Sequence, residues 1–187
     1  MSIVIIDHQD SFTYNIVELL RKIGKDADVV SIHQPDIDGL SAYDHLILSP
    51  GPGFPEDYKR TVQILDAYHT QKKILGICLG HQIIASYFGA KLQNMSKVIH
   101  GQPKQVFTTP KAQLFRRLPK SFKVGLYHSW IVSPDEFPKA LQITAQTNKS
   151  EIMALAHREF PIFGVQFHPE SYISEYGSQI LTNFIDA

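Results

Sequence analysis

The sequence predicts an α/β fold: a doubly wound, mostly parallel sheet with an additional β-rich segment in its second half. Three observations carry this. Apolar runs alternate with helical patterns through the N-terminal half, in a βαβαβα rhythm. From Lys91 to about Ile143 the pattern changes to short β-like pieces broken by turn residues. Apolar residues make up 43% of the 187, enough for a sizeable core, and no repeat, low-complexity tract or linker divides the chain. Residues 1–187 therefore read as a single domain.

The elements follow in order. Ser2–Ile6 is an apolar run ending at Asp7, the mark of a strand buried on both faces. Within Phe12–Ile23, Ile16, Leu19, Leu20 and Ile23 share one helical face, and Gly24 closes the helix. Asp28–Ile32 reads as a second strand. His45–Leu48 reads as a third, running into Ser49-Pro50-Gly51-Pro52-Gly53. Val62, Ile64, Leu65 and Tyr68 mark a helix over Lys59–Thr70. Lys73–Ile77 is a fourth strand that meets Cys78 directly, and Gly80–Phe88 reads as the next helix. Turns are expected at Gly101-Gln102-Pro103, Thr109-Pro110 and Ser133-Pro134. Glu151–Ala156 and Ile162–Phe167 read as strands joined by the polar turn His157–Glu159, and Ser174–Ile185 as a closing amphipathic helix.

Charge and cysteine content narrow the function. Lys+Arg and Asp+Glu are 18 each, and no basic stripe is present. Nucleic acid and anionic membrane surfaces are therefore poor partners. The single cysteine, Cys78, permits neither an intramolecular disulfide nor a cysteine-based zinc site. The start is too short for a signal peptide, and no apolar stretch approaches 18 residues. A cytoplasmic protein is expected.

In such folds ligands bind at the carboxyl edge of the sheet. There, Gly76-Ile77-Cys78-Leu79-Gly80 is a strand running into a small-x-nucleophile-x-small turn and then a helix. That is a nucleophile elbow with cysteine in place of serine. The turn lifts the sulfur to a helix N-terminus, where the dipole and free N–H groups favour thiolate. The N–H of Leu79 is placed to help hold an oxyanion. The bland alternative is a buried cysteine in a strand–helix turn.

A thiolate needs a base, and the base needs an orienter. Of nine histidines, His33, His45, His69 and His157 sit in polar or helical contexts and read as solvated. His168 ends the run Ile162–Phe167 at a strand's carboxyl edge, and Glu170 lies two residues on, projecting to the same side of an extended segment. Ser49–Gly53 also leaves a strand; Gly51 offers a second oxyanion N–H and the loop a backbone wall. No Lys-Ser/Thr follows it, so it is not a P-loop.

Three segments together resemble the class I (triad-type) glutamine amidotransferases: Pro50-Gly51-Pro52-Gly53, Gly76-Ile77-Cys78-Leu79-Gly80-His81-Gln82 and Phe167-His168-Pro169-Glu170-Ser171. The resemblance covers nearly the whole chain and implies a flavodoxin-like fold. Asp10-Ser11-Phe12-Thr13-Tyr14-Asn15 resembles the subgroup serving chorismate. That subgroup is the small subunit of anthranilate synthase (tryptophan biosynthesis) or of aminodeoxychorismate, para-aminobenzoate, synthase (folate biosynthesis).

The resemblance implies that Cys78 attacks the side-chain amide of L-glutamine, that His168 serves as base and then acid, and that Glu170 orients it. Gly51 and Leu79 would supply the oxyanion N–H groups. Gly51, Pro52, Gly53, Gln82, Ser129 and Trp130 would bind glutamine. No cofactor or metal is implied. Ammonia would pass to a chorismate-binding synthase large subunit on another chain, since 187 residues leave no room for a synthase domain. The sequence departs from the subgroup at Leu126, where arginine is usual, at Gln102-Pro103-Lys104 in the mid-chain loop, and at Trp130, where leucine is common. The first two bear on partner docking. Two rival readings are a stand-alone amide or γ-glutamyl hydrolase, and a flavodoxin-like binding module in which loops 7–12 and 49–55 cradle a phosphate and Cys78 is structural.

Overall fold

The strands Ile3–Asp7, His45–Leu48, Lys73–Ile77 and Ile162–Val165 are short apolar runs with both faces covered, so their alternate residues feed two different cores. The computed structural model describes residues 1–95, 100–110 and 112–187. It contains β1 (Ile3–Asp7), α1 (Thr13–Lys22), β2 (Asp28–Ser31), β3 (His45–Leu48), α2 (Lys59–Tyr68), β4 (Lys73–Ile77), α3 (Leu79–Tyr87) and β5 (Leu92–Asn94). These are followed by β6 (Gln102–Thr108), β7 (Ser121–Leu126), β8 (Trp130–Val132), β9 (Leu141–Gln146), β10 (Ile152–His157), β11 (Ile162–Val165) and α4 (Gly177–Ile185).

The main sheet has the order β2-β1-β3-β4-β11-β10-β9-β6-β7. Its first five strands are mutually parallel. The remaining four extend the same sheet antiparallel. The β-rich second half is therefore not a separate layer; among the described residues, only β5 and β8 pair apart from the main sheet. Ile3 and Ile5 pack with α1 (Ile16, Leu20) and α4 (Ile180, Phe184). Their neighbours Val4 and Ile6 pack on the opposite face with α2 (Ile64, Leu65) and α3 (Ile83, Ile84).

Three expected boundaries shift for identifiable reasons. Gln102 and Pro103 belong to β6 rather than a turn, paired with Leu126 and Gly125. β9 reaches β6 only at Phe107 and Thr108, so Pro103 has an unpartnered side, where a missing N–H costs no ladder bond. The last helix starts at Gly177, not Ser174, because Ser174 and Glu175 are committed to the edge of β7. Lys123 N–H donates to Glu175 Oε2 at 2.7 Å, and Gly125 N–H donates to Ser174 Oγ at 2.9 Å. The ladder of β11 ends at Val165, and His168 instead makes a single bridge to Gly125.

His45 and His157, expected in solvent, are buried. His45 Nε2 lies 3.2 Å from the Ile185 carbonyl at the end of α4. His157 Nδ1 accepts the N–H groups of Glu159 and Phe160, closing the β10–β11 turn. His45 shares the Ile185 carbonyl with Lys73 Nζ, which donates to it at 3.0 Å, so the end of α4 is tied down twice.

The topology gathers the carboxyl ends of β3, β4 and β11 side by side. α3 follows β4 with no loop, so it must lie almost on the strands. A Cβ at Gly76 would come within 2.4 Å of the Gly80 backbone, and one at Gly80 within 2.3 Å of the Leu48 carbonyl oxygen. Both obstacles are backbone, so neither can swing away. Gly80→Ala is expected to cost about 2–3 kcal/mol as an overpacking change, read as a Tm lower by several degrees. An unchanged melting curve would show that α3 can retreat freely.

Candidate active site

Cys78 occupies the single residue between β4 and α3, with φ 51° and ψ −100°. Positive φ is strained for a residue with a side chain, and persists only where the surroundings impose it. Here Cys78 N–H donates to the Val165 carbonyl at 2.8 Å, and Gln82 N–H donates to the Cys78 carbonyl at 3.1 Å. The first bond ties the cysteine to β11, the second starts α3. The side chain is thereby held over the strand ends at the helix N-terminus.

His168 follows β11. Its Nδ1 lies 2.7 Å from Glu170 Oε1, with the two side chains 3% and 0% exposed. A carboxylate can only accept, so Nδ1 carries the proton. Nε2 is buried and has no hydrogen-bond partner among the described residues. Burial works against charging this ring, but the adjacent Cys78 and then Glu170 outweigh it and hold the pKa well above the ordinary histidine value. Phe12 and Tyr127 pack on the ring, with centroids 5.1 and 4.9 Å away. The backbone is fixed as well: His168 N–H donates to the Gly125 carbonyl at 3.2 Å, and Ser174 Oγ donates to the His168 carbonyl.

A cleft of about 210 Å³ opens above the sulfur. Gly51, Gly53, Leu79, Gln82, Ser129 and Trp130 line it together with Cys78. Gly51 sits tight against the site: a Cβ there would be 2.6 Å from His8 Cβ and 2.7 Å from Leu79 Cδ2. Pro52 does not line the cleft; it is exposed, and its carbonyl accepts the Tyr58 hydroxyl at 2.8 Å. Gln82 Nε2 donates to the Trp130 carbonyl at 2.8 Å and to Gln166 Oε1 at 3.0 Å. Both its N–H bonds are thus spent within the protein, leaving Oε1 to meet a ligand. Phe54 packs edge-on against Trp130 at 5.0 Å, bridging the loop that carries Gly51 and Gly53 to the opposite wall.

Sequence reasoning missed several residues here. His100, Tyr127 and His128 also line the cleft. Gln166 lies fully buried beside Cys78. For Tyr127 and His128 the signal was adjacency to Ser129. For Gln166 it was an amide within an otherwise apolar run. His8 braces the Gly51 loop from below: its N–H donates to Ser49 Oγ at 2.9 Å, and its Nε2 lies 2.9 Å from Thr61 Oγ1.

Larger surface clefts, of about 270 and 690 Å³, lie beside His157–Pro161 and Thr108–Lys120. Neither is lined by Cys78 or by a buried histidine–carboxylate pair, so chemistry rather than size selects the smaller one. Among the described residues, no group of three or more His, Cys, Asp or Glu side chains is arranged to hold a metal ion. No helix of the described residues is long and apolar enough to cross a membrane.

Residues 4–187 match the family described as glutamine amidotransferase class-I. The chain is 42% identical to a Haemophilus influenzae protein provisionally named anthranilate synthase component II, across 99% of this chain and 96% of that one. It is 38% identical to the aminodeoxychorismate/anthranilate synthase component 2 of Bacillus subtilis, across 98% and 95%. Among solved structures, a Thermoplasma acidophilum protein, provisionally named as one subunit of GMP synthase, superposes with a TM-score of 0.89 at 27% identity. That match covers 100% of this chain and 92% of the other.

The histidines around the site make stability sensitive to acid. Burial lowers the pKa of His8 to about 4, of His81 to about 3 and of His128 to about 4. In the unfolded chain each returns to the ordinary value near 6.5. Between these limits the unfolded state binds more protons, so the stability present above pH 6.5 is lost as pH falls toward 4 and below. His168 has the opposite sign but is one ring against three. Tm is therefore expected to fall steeply from pH 6.5 to 4. His128→Phe, which cannot charge, should flatten that fall; an equally steep decline in the variant would contradict the assignment.

Proposed function

The chain belongs to the class-I glutamine amidotransferases, and on that premise we propose that Cys78, His168 and Glu170 are its catalytic residues and a chorismate-using synthase its partner. The activity is hydrolysis of L-glutamine to glutamate and ammonia. The observation that carries the residue assignment is the strained cysteine tied to Val165, beside a buried His168–Glu170 pair at 2.7 Å.

Cys78, as the thiolate beside protonated His168, attacks the side-chain amide carbon of glutamine and forms a C–S bond. The oxyanion that develops is held by the N–H groups of Gly51 and Leu79. His168 Nε2 gives its proton to the amide nitrogen, the C–N bond breaks, and ammonia leaves a γ-glutamyl thioester. The now neutral His168 takes a proton from water as the hydroxide adds to the thioester carbon. The C–S bond then breaks, releasing glutamate and restoring thiolate and imidazolium. Glu170 keeps the proton on Nδ1, which leaves Nε2 for these transfers. Gln82 Oε1, Ser129 and Trp130, with Gly51 and Gly53, position the glutamine α-substituents, and Pro52 acts only by stiffening its loop.

The names of the relatives support a separate synthase component that consumes the ammonia, and residues 1–187 act as one amidotransferase domain. Glutamine hydrolysis by an isolated chain would waste substrate, so docking of the synthase is the natural trigger. The exposed Gln102–Pro103 stretch offers a route. Pro103 pairs with Gly125, whose carbonyl accepts the His168 N–H, so a partner seated on β6 is one strand from the base. Leu126 is fully buried, so it contributes to the core rather than to such a surface.

Cys78→Ser should lose glutamine-dependent turnover by several orders of magnitude with the fold intact. A glutamine-mimicking electrophile should label the wild type once, and labelling that persists in the variant would refute the nucleophile. His168→Ala should cost far more than Glu170→Gln, because the base handles the protons and its neighbour only orients it. Equal mild losses would point to another base. Adding a chorismate-using synthase should raise glutaminase turnover, and a Cys78→Ser complex should still make product from ammonium salt at high pH. Full-rate hydrolysis by the isolated chain, unchanged by any synthase, would favour a stand-alone hydrolase.

A further inference from the structure

We infer that Gln166 is a further catalytic residue, whose side-chain amide donates a hydrogen bond to Cys78 Sγ and favours the thiolate. The inference rests on Cys78 being the nucleophile. Gln166 is 0% exposed and stands just after β11, where every neighbour in the run Ile162–Phe167 is apolar or glycine. A buried amide is costly unless its donors and acceptors are met. Its Nε2 lies 3.7 Å from Cys78 Sγ, within hydrogen-bond reach of the larger sulfur atom.

The orientation of this amide follows from a chain of contacts. The Trp130 carbonyl can only accept, so the group of Gln82 facing it at 2.8 Å is the NH₂. The same NH₂ faces Gln166 at 3.0 Å, which must therefore present its oxygen there. That leaves the NH₂ of Gln166 for the sulfur. The main chain of Gln166 is fixed as well, its N–H donating to the Met153 carbonyl at 2.9 Å. The donor is thus aimed before any substrate arrives.

Hydrogen bonds to an ionised acceptor are about twice as strong as neutral ones, so an N–H held against sulfur stabilises thiolate more than thiol. Unlike His168, the amide does not titrate. It stays a donor when His168 has given up its proton, and it meets the sulfur again when the thioester breaks. The other end of the chain is the Trp130 carbonyl in the cleft wall, so the wall and the nucleophile share one set of hydrogen bonds.

Iodoacetamide alkylation tests this in the 187-residue chain, where Cys78 is the only thiol. Gln166→Met keeps the length and removes the donor. Its alkylation should be about tenfold slower at pH 7 and its pH profile displaced upward by about one unit. It should converge on wild type at high pH, where the thiol ionises unaided. A merely structural loss would lower the rate by the same factor at every pH. That parallel drop, or a profile coinciding with wild type, would overturn the proposal. Should Gln166→Met not fold, Gln166→Glu retains an acceptor for Gln82 but, as carboxylate, offers the sulfur no N–H. Its profile should also move upward, and an unmoved profile would overturn the proposal. Failure of the underlying nucleophile reading appears elsewhere, as glutamine hydrolysis that survives Cys78→Ser.

Discussion

The parallel pairing of β4 with β11 is the constraint on which the site depends. The register sets Ile77 against Val165, so two segments distant in sequence leave the sheet at one edge, side by side. The bond from Cys78 N–H to the Val165 carbonyl is the last rung of that ladder. It holds the cysteine in a backbone conformation that an isolated peptide would avoid. The glycines beneath α3 let the helix begin at once, so the sulfur sits at its N-terminus. If these two strands separated, Cys78, the helix dipole and His168 would lose their common frame together.

Charge is then concentrated by exclusion. His8, His81 and His128 lie close to the site, and burial keeps each neutral in the physiological range. His168 is equally buried, but it alone has a carboxylate on one nitrogen and a cysteine beside it. The fold thus makes one imidazole out of four basic, by placing a partner rather than by exposing the ring to water. Among the described residues, neither ring nitrogen of His81 or of His128 has a hydrogen-bond partner, and all four are buried. Those rings are costs the structure carries next to its chemistry, which is where such costs tend to collect.

The covering of β7 links the segment carrying His168 and Glu170 to the rest of the sheet. The turn from His168 to Glu175 lies along that strand's edge, using Gly125, Lys123, Ser174 and Glu175. An otherwise open sheet edge is blunted by the residues that follow His168. The placement of His168 and the four antiparallel strands beyond the parallel core therefore depend on each other. A binding module with a structural cysteine would need neither a strained elbow nor a buried histidine–carboxylate pair, and the match across residues 4–187 agrees.

Much of this was legible in the sequence. Apolar runs such as His45–Leu48 and Lys73–Ile77 marked strands to the residue, because a strand buried on both faces has no other composition to choose. The Gly76–Gly80 turn pattern and the His168–Glu170 pairing were also local, each set by residues at most four positions apart. What tertiary structure alone decided was which strand lies beside which. Side-chain periodicity says that a strand is buried but not against what, so it could not show that the β-rich half continues the main sheet or that Pro103 lies in it. It equally could not show that Gln166 meets Cys78, or that His45 is buried against the end of α4. A buried polar side chain looks like any surface residue until the fold supplies its partner, and that partner sits far away in the chain.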